Sequence, residues 1–502
     1  MKRLRAVALL ASLAVLAGLG LVGISAGPGE LTALVDRATL RAPIPDPRLE
    51  ELALQTGTEA VARADAQGLP ATVQPVTFAK HTISYPVFSP DGQQIGTTAW
   101  RVVRGTGNCC ENHLGATKTG RLLDFGGAYL NFSDDKGVTW KRVRPAEPLV
   151  GPEGTVVNAP GGDIVGVTWD PYTGDRVLAF KMDGATGTWE YMYTALHTPF
   201  YDREWIAVIP GPHTIAGQTF PYITVMRGGF PSKDVWFYSL DGLHYAVASN
   251  KMLAAMLGGT TSRWLPATPD PEADWTQPIS EASIAPLNGG GAIAYRVDVL
   301  ETAVTVEGIL PANNWWILEP STLVWKQHRL ATGTQMPRGR LVQDSRGWSH
   351  LVSVVEGEVT YRLSQDGGQT WSTATASLPP SHRVEEWDFR ANGGLGLTAV
   401  AVHAHNDATD KDQDLVLRFA TVCGVPELVE THFVGTGDTN AGRGLGASIR
   451  FDFATTAILP DGTIATSLLD RAHLSPALAV ELETTYTPGY EPPALSCGAP
   501  AP

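Results

Sequence analysis

The chain has 502 residues; 18 % are charged, Gly and Pro number 53 and 36, and the formal net charge is −14. This apolar, turn-rich balance argues against both a disordered and a helical protein, and leaves two or three ordinary domains or one large all-β domain. The acidic surplus argues against nucleic acid or an anionic membrane surface as a main partner, because both reward Lys and Arg. In chain order, the first element is "MKRLRAVALLASLAVLAGLGLVGISAG". Lys2, Arg3 and Arg5 precede an apolar run over 6–24 in which Ser12 is the one polar residue. Residues 1–26 therefore read as an export signal with a cut after Ala26, or as a retained membrane anchor, since the run is just long enough to span a bilayer. Either outcome predicts a secreted or cell-surface protein, tethered to the membrane in the second case.

Residues 27–72 contain "PDPRLEELALQTGTEAVARADAQG", helix formers in a loose 3.6-residue period between Pro-rich flanks. This predicts a linker or stalk with a short helix. From 73 to 485 the pattern changes to short runs of Val, Ile, Thr, Tyr and Trp, broken by Gly, Pro, Asn or Asp. "DVWFYSLDG", "GTIATSLLD" and "GWSHLVSVVEG" are typical, and such alternation predicts β-strands. Residues 486–502 form an irregular tail. An even number of cysteines in an exported chain suggests disulfides. Cys423 with Cys497 would pin the tail to the body, whereas a bond between the adjacent Cys109 and Cys110 would be strained.

Two octets repeat one pattern: "SDDKGVTW" at Ser133–Trp140 and "SQDGGQTW" at Ser364–Trp371. Such a string suits a hairpin turn. Ser and Asp bond backbone N–H groups, Gly supplies a positive φ, and Trp packs beneath. The pattern (Ser133, Asp135, Gly137, Trp140; Ser364, Asp366, Gly368, Trp371) resembles the Asp-box, or BNR repeat, of the sialidase (neuraminidase) superfamily. "SLDGLHY" at Ser239 is a worn third copy, and "SPDG" at Ser89 is a fourth candidate. The resemblance implies an all-β fold, a single β-propeller of four-stranded antiparallel blades. The steps between boxes are about 53 and about 62 residues per blade, near the size of one such unit. Seven modules follow, at 111–144, 163–196, 203–248, 278–330, 338–378, 387–433 and 450–483, with six blades as the alternative. The last module has three strands, and the amino-terminal "VTFAKHTISY" is expected to supply the fourth and close the ring.

The boxes are expected to be structural and to leave chemistry to the opposite face, at the beginnings of the innermost strands. Candidate acid, base or nucleophile residues there are Asp202, Glu204, Glu281, Asp388 and Asp452. Arg203, Arg340, Arg390, Arg450, Glu111, His113 and Arg227 are candidate ligand-binding residues. Arginine clusters suit bidentate capture of a carboxylate or sulfate, and carboxylates beside them suit acid–base work on a glycosidic bond. The resemblance would imply an exo-sialidase-like glycoside hydrolase. However, the Arg-Ile-Pro tripeptide that the family carries ahead of the first box is absent, so no catalytic residue transfers by motif. Two function classes stay open: a glycan-binding or glycan-trimming propeller, and a non-catalytic platform for proteins or polysaccharide. A monomer is expected, and no cofactor is required. "HAHNDATDKDQD" places Asp410, Asp412 and Asp414 in an acidic stretch, either a structural Ca²⁺ site or a solvated loop.

Overall fold

Alternation of β-branched and aromatic residues with polar ones produces strands almost throughout. The computed structural model describes residues 67–106, 113–126, 129–146, 154–169, 176–195, 205–215, 217–228, 235–247, 281–286, 292–297, 314–318, 325–329, 339–343, 348–355, 357–365, 370–409, 411–422, 424–436, 455–470 and 475–491. Two short strands come first, Leu69–Pro70 (β1) and Thr72–Val76 (β2), followed by a long hairpin, Ala79–Phe88 (β3) and Gln94–Arg104 (β4). Six sets of four then follow in order. They are His113–Ala116, Leu122–Gly126, Tyr129–Ser133 and Trp140–Arg144 (β5 to β8), then Gly154–Asn158, Ile164–Trp169, Arg176–Met182 and Trp189–Ala195 (β9 to β12). Trp205–Ile215, Gln218–Gly228, Val235–Ser239 and Ala246–Val247 are β13 to β16; Glu281–Pro286, Ala292–Val297, Asn314–Leu318 and Trp325–Arg329 are β17 to β20. Gly339–Gln343, Ser349–Val355, Glu358–Ser364 and Ser372–Ser377 are β21 to β24; His382–Asn392, Leu397–Asn406, Lys411–Val422 and Val425–Thr436 are β25 to β28. Thr456–Ile458, Ile464–Asp470 and Ser475–Tyr486 (β29 to β31) end the series. Among the described residues the sole helical turn is the 3-10 segment Pro160–Gly162.

Each set is an antiparallel meander. Consecutive sheets pack face to face through buried apolar side chains. Phe125 and Phe132 of one sheet meet Phe180 and Trp189 of the next, while Val352 and Tyr361 meet Phe389 and Val402. The first strands touch in chain order: β5 on β9, β9 on β13, β13 on β17, β17 on β21, β21 on β25, β25 on β29, and β29 back on β5. The core therefore lies between sheets, around a closed ring of first strands.

The chain ends meet within one continuous sheet, ordered β25-β26-β27-β28-β3-β4-β31-β30-β29. This corrects one expectation. The strand that completes the three-stranded last module is β4, which pairs with β31 from Gly96 to Arg104. "VTFAKHTISY", in β3, lies one position further out and meets β28 only at Phe88↔Thr431 and Val87↔His432. The reason is apolar content. β4 buries Ile95, Trp100, Val102 and Val103, whereas most of β3 is exposed or half-buried. The body also starts earlier than residue 73, because β1 pairs with β12 and β2 with β8 as extra edge strands. The 1–26 segment, the expected linker helix, all four cysteines and the tail beyond 491 lie outside the described residues.

The first octet is the turn between β7 and β8. Ser133 Oγ donates to Asp135 (2.8 Å) and accepts the Gly137 N–H (2.8 Å), and Asp135 accepts the Thr139 N–H (2.7 Å) and hydroxyl (2.6 Å). Trp140, 2 % exposed, donates its indole N–H to the Gly137 carbonyl (3.1 Å). Gly137 has φ +78°, and a Cβ there would lie 3.3 Å from Val480. Burial alone would raise the Asp135 carboxyl, but the bonds from Thr139 and Ser133 outweigh it and hold the group below its usual range. The worn copy at Ser239 makes a turn one residue shorter with the same Ser–Asp and Ser–Gly bonds, Gly242 at φ +81° and Tyr245 buried after it. In the second octet Ser364 is buried and Trp371 half-buried, while Asp366 and Gly368 lie outside the described residues. Lys136 pairs with Asp461 and bonds Thr463 (3.1 Å), so the box turn and the β29–β30 turn share one face.

Candidate functional site

The site is built where β5, β25 and β29 meet, at the end of β5 remote from the box turn. On β25 the side chains alternate. Trp387 and Phe389 enter the core against the preceding sheet, which turns Asp388 and Arg390 the other way. Arg390 reaches past β29, and its Nη2 lies 2.6 Å from His113 Nε2 on β5. Its Nη1 contacts Asp388 Oδ1 (3.0 Å) and donates to the Phe389 carbonyl (2.7 Å). The second Asp388 oxygen accepts the Thr456 N–H (3.1 Å) at the start of β29. Asp388 is 4 % exposed, so both carboxylate oxygens are engaged in a buried position, which suits a positioning charge better than a mobile acid.

His113 is the informative partner. Its Nδ1 lies 3.2 Å from the Val156 nitrogen, and its Nε2 makes the shorter contact to the guanidinium. Guanidinium groups only donate, so Nε2 is the acceptor in that contact. Asp388, the Phe389 carbonyl and the His113 ring thereby hold the guanidinium fork in one orientation, the preorganisation that capture of an oxyanion uses.

A second group lies beside the first on the same sheet face. The β25–β26 register sets Asp388 opposite Ala401, and the β26–β27 register sets His403 opposite Asp414. His403 Nδ1 is 2.6 Å from Asp414 Oδ1, and the two line a cleft of about 10 Å³ with Thr466 and Ser467, room for about one water. The carboxylate accepts the Nδ1 proton of the neutral ring and fixes its orientation. Ser467 is engaged elsewhere, accepting the Thr455 N–H (2.9 Å).

Of the sequence candidates, then, the structure brings His113, Asp388 and Arg390 together. Arg340 lies in β21 opposite Val352, Glu281 starts β17 opposite Val297, and Arg227 sits in β14 opposite Trp205, their side chains being outside the described residues. Glu111, Asp202, Arg203, Glu204, Arg450 and Asp452 also lie outside them. The same holds for Asp410 and the Asp412 side chain; Asp414 is bonded to His403. Among the described residues no group of three or more His, Cys, Asp or Glu is arranged to hold a metal ion. Sequence reasoning missed Thr455, Thr456 and Ser467, which act through backbone and hydroxyl contacts and carry no spacing signal.

No protein-family profile and no curated sequence matches the chain. Solved structures that resemble it include a chain of the mitotic checkpoint complex (TM-score 0.41, 10 % identity, 76 % of this chain and 93 % of that one). A variant of the NanB sialidase from Streptococcus pneumoniae resembles it at TM-score 0.30 and 11 % identity, over 81 % of this chain and 68 % of that one. An α-L-arabinofuranosidase from Fusarium graminearum does so at TM-score 0.34 and 12 % identity, over 67 % and 93 %. At such scores these likenesses assign this chain neither an activity nor a substrate.

Proposed function

We propose that the chain is an exported, sialidase-like β-propeller of seven blades that binds or trims glycans within its ring of first strands. The seven-blade reading is supported by the cycle of first-strand contacts from β5 round to β29 and back, together with the box turns. The glycan reading is carried by one observation: Arg390 and His113 meet at 2.6 Å from strands on different sheets, with the guanidinium also held by Asp388. A sugar carboxylate or sulfate suits a guanidinium oriented in this way, and the His403–Asp414 pair lies on the same seam.

Arg390→Lys on a glycan array is the test. Lysine keeps the charge and the Asp388 pair but loses the fork, so affinity for carboxylate-bearing glycans should fall about tenfold or more. The melting temperature should stay within about 3 °C. Turnover of an activated aryl glycoside by the wild type separates trimming from binding. The competing reading, a non-catalytic platform, draws on the full engagement of Asp388. A wild-type protein that binds no glycan on a broad panel would establish it and end the glycan reading.

A further inference from the structure

Residues 67–80 run along the outer edges of successive sheets, against the chain order of those sheets. Gly68 is buried where the β9–β12 and β13–β16 sheets meet, and a Cβ there would lie 2.8 Å from Leu243 and 2.9 Å from Glu190. β1 then pairs with β12, and β2 with β8, each as a fifth strand beyond the fourth. Lys80 donates to the Val138 carbonyl of the first box turn, and from Ala79 the chain continues as β3 along β4. Leu69 and Val73, 48 % and 42 % exposed, show that this segment has no core of its own.

What the segment does bury goes into the packed seams between sheets. Leu243, against which Gly68 rests, belongs to the core shared by the β9–β12 and β13–β16 sheets. Ala71 donates its N–H to the Trp189 carbonyl (2.9 Å) and packs on the core between the β5–β8 and β9–β12 sheets. Val76 and Phe78 pack on the core between the β5–β8 sheet and the closing sheet, with Phe78 edge-on to Trp140 at 5.8 Å. The last two seams flank the sheet that carries His113. At their inner edges His113 Nδ1 lies 3.2 Å from the Val156 nitrogen on one side, and its Nε2 lies 2.6 Å from Arg390 on the other. The Leu114 N–H, next along β5, donates to Thr455 (3.0 Å). Three strand spacings, about 14 Å, separate these inner contacts from β8. Packed seams repack between discrete arrangements rather than deform smoothly, so a change at the outer edge is carried to the inner one as a tilt of the sheet.

We propose that residues 67–80 are a strap that positions His113 against Arg390. By closing the outer edges of both seams beside the β5–β8 sheet, the strap fixes the tilt of that sheet and so the place of the imidazole at the guanidinium. Gly68 and Phe78 are its positioning residues, one at each end. The inference rests on the glycan reading above only where ligand affinity is measured, and it adds a control of that site from outside the ring of first strands.

Three substitutions in the full chain test it. Phe78→Ala removes the contact with Trp140, Gly68→Val forces the strap off Leu243 and Glu190, and Val73→Thr changes an exposed side chain and leaves the strap contacts in place. With nitrogen-15-labelled histidine, the His113 ring resonances should shift in the first two variants and stay in the third. Affinity for a uronate-bearing tetrasaccharide should fall about tenfold in the first two, and a faster-exchanging Ala71 amide should mark the loosened strap. Wild type gives the same readout with no variant that has to fold. In sub-denaturing guanidinium, exchange at the Ala71 amide and displacement of the His113 resonances should set in together, below the global unfolding midpoint. His113 resonances that hold still while the Ala71 amide opens overturn the proposal, and so does an Ala71 amide that opens only when the whole protein unfolds. A wild type that binds no saccharide removes the glycan reading, while the His113 resonances still decide on the strap.

Discussion

Arg390 and Arg418 stand in one cross-strand row of the same sheet, joined through Ala399, yet they end in opposite situations. Arg418, further out, contacts Glu481 at 3.1 Å and Glu430 at 3.8 Å. Glu430 also bonds His432 (2.8 Å) and accepts the Tyr486 hydroxyl (2.6 Å), and His432 continues to Thr98 at 2.8 Å. These residues come from β27, β28, β31 and β4, so the network joins the two ends of the chain where the long sheet is closed. Arg390, further in, meets one carboxylate, one carbonyl and one imidazole among the described residues. The outer cluster cross-links strands from both ends of the chain through several buried carboxylate bonds, whereas the inner one orients a single guanidinium at the ring of first strands.

The outer cluster is where breaking the comparison should cost most. Glu430 is 2 % exposed and His432 1 %. Glu430→Ala strands His432 and the Tyr486 hydroxyl and should destabilise the protein by about 3–5 kcal/mol, read from the guanidinium unfolding midpoint. A loss under about 1 kcal/mol would show that the seam does not need its charges. The same residue sets a pH signature. Burial opposes its ionisation, but the His432 bond and charge, Tyr486 and Arg418 win and depress the Glu430 carboxyl. A depressed carboxylate stabilises the fold fully above its unfolded pKa, near ~4.3, and loses that contribution as pH falls through the lower folded value. The gap in melting temperature between wild type and Glu430→Gln should therefore narrow from pH 7 towards pH 3. A constant gap across that range would remove ionisation from the account.

How much of this was legible beforehand follows from the range of the forces involved. The Ser133 turn is local: the bonds of Ser133 and Asp135 all stay within the octet, and its pattern could be read directly, as could the worn copy at Ser239. The sheet series was legible because each meander repeats the same alternation. The closing strand was not, since β3 and β4 both read as strands and only the burial of Trp100 and Val102 against β31 decides between them. For the site, repeat position was enough to group His113, Asp388 and Arg390 as strand-beginning candidates. That Arg390 passes β29 to meet His113 depends on the curvature of the ring, which no spacing encodes. Asp414 reads as part of an acidic loop, because its partnership with His403 requires the β26–β27 register.

The box face supplies the small end of the scale and separates charge from burial. Ser133 is 1 % exposed, and its hydroxyl is the acceptor for the Gly137 N–H. Ser133→Ala leaves that buried donor unsatisfied and should cost about 1–3 kcal/mol. Lys136, three residues on, makes the ion pair to Asp461 that ties the same turn to the neighbouring sheet, with side chains 45 % and 50 % exposed. Water competes for both charges, and holding two mobile side chains together costs entropy, so Lys136→Ala should change stability by less than about 0.5 kcal/mol. The Asp461 carboxyl is held below its ordinary range despite partial burial, first by the Lys136 bond and then by Thr463, which the substitution leaves in place. Matched unfolding curves for the two variants test the ranking. If Lys136→Ala proved the more damaging, attachment between neighbouring turns would outweigh the hydrogen bonds inside one, and Arg390 would also have to be weighed first as a strut between sheets.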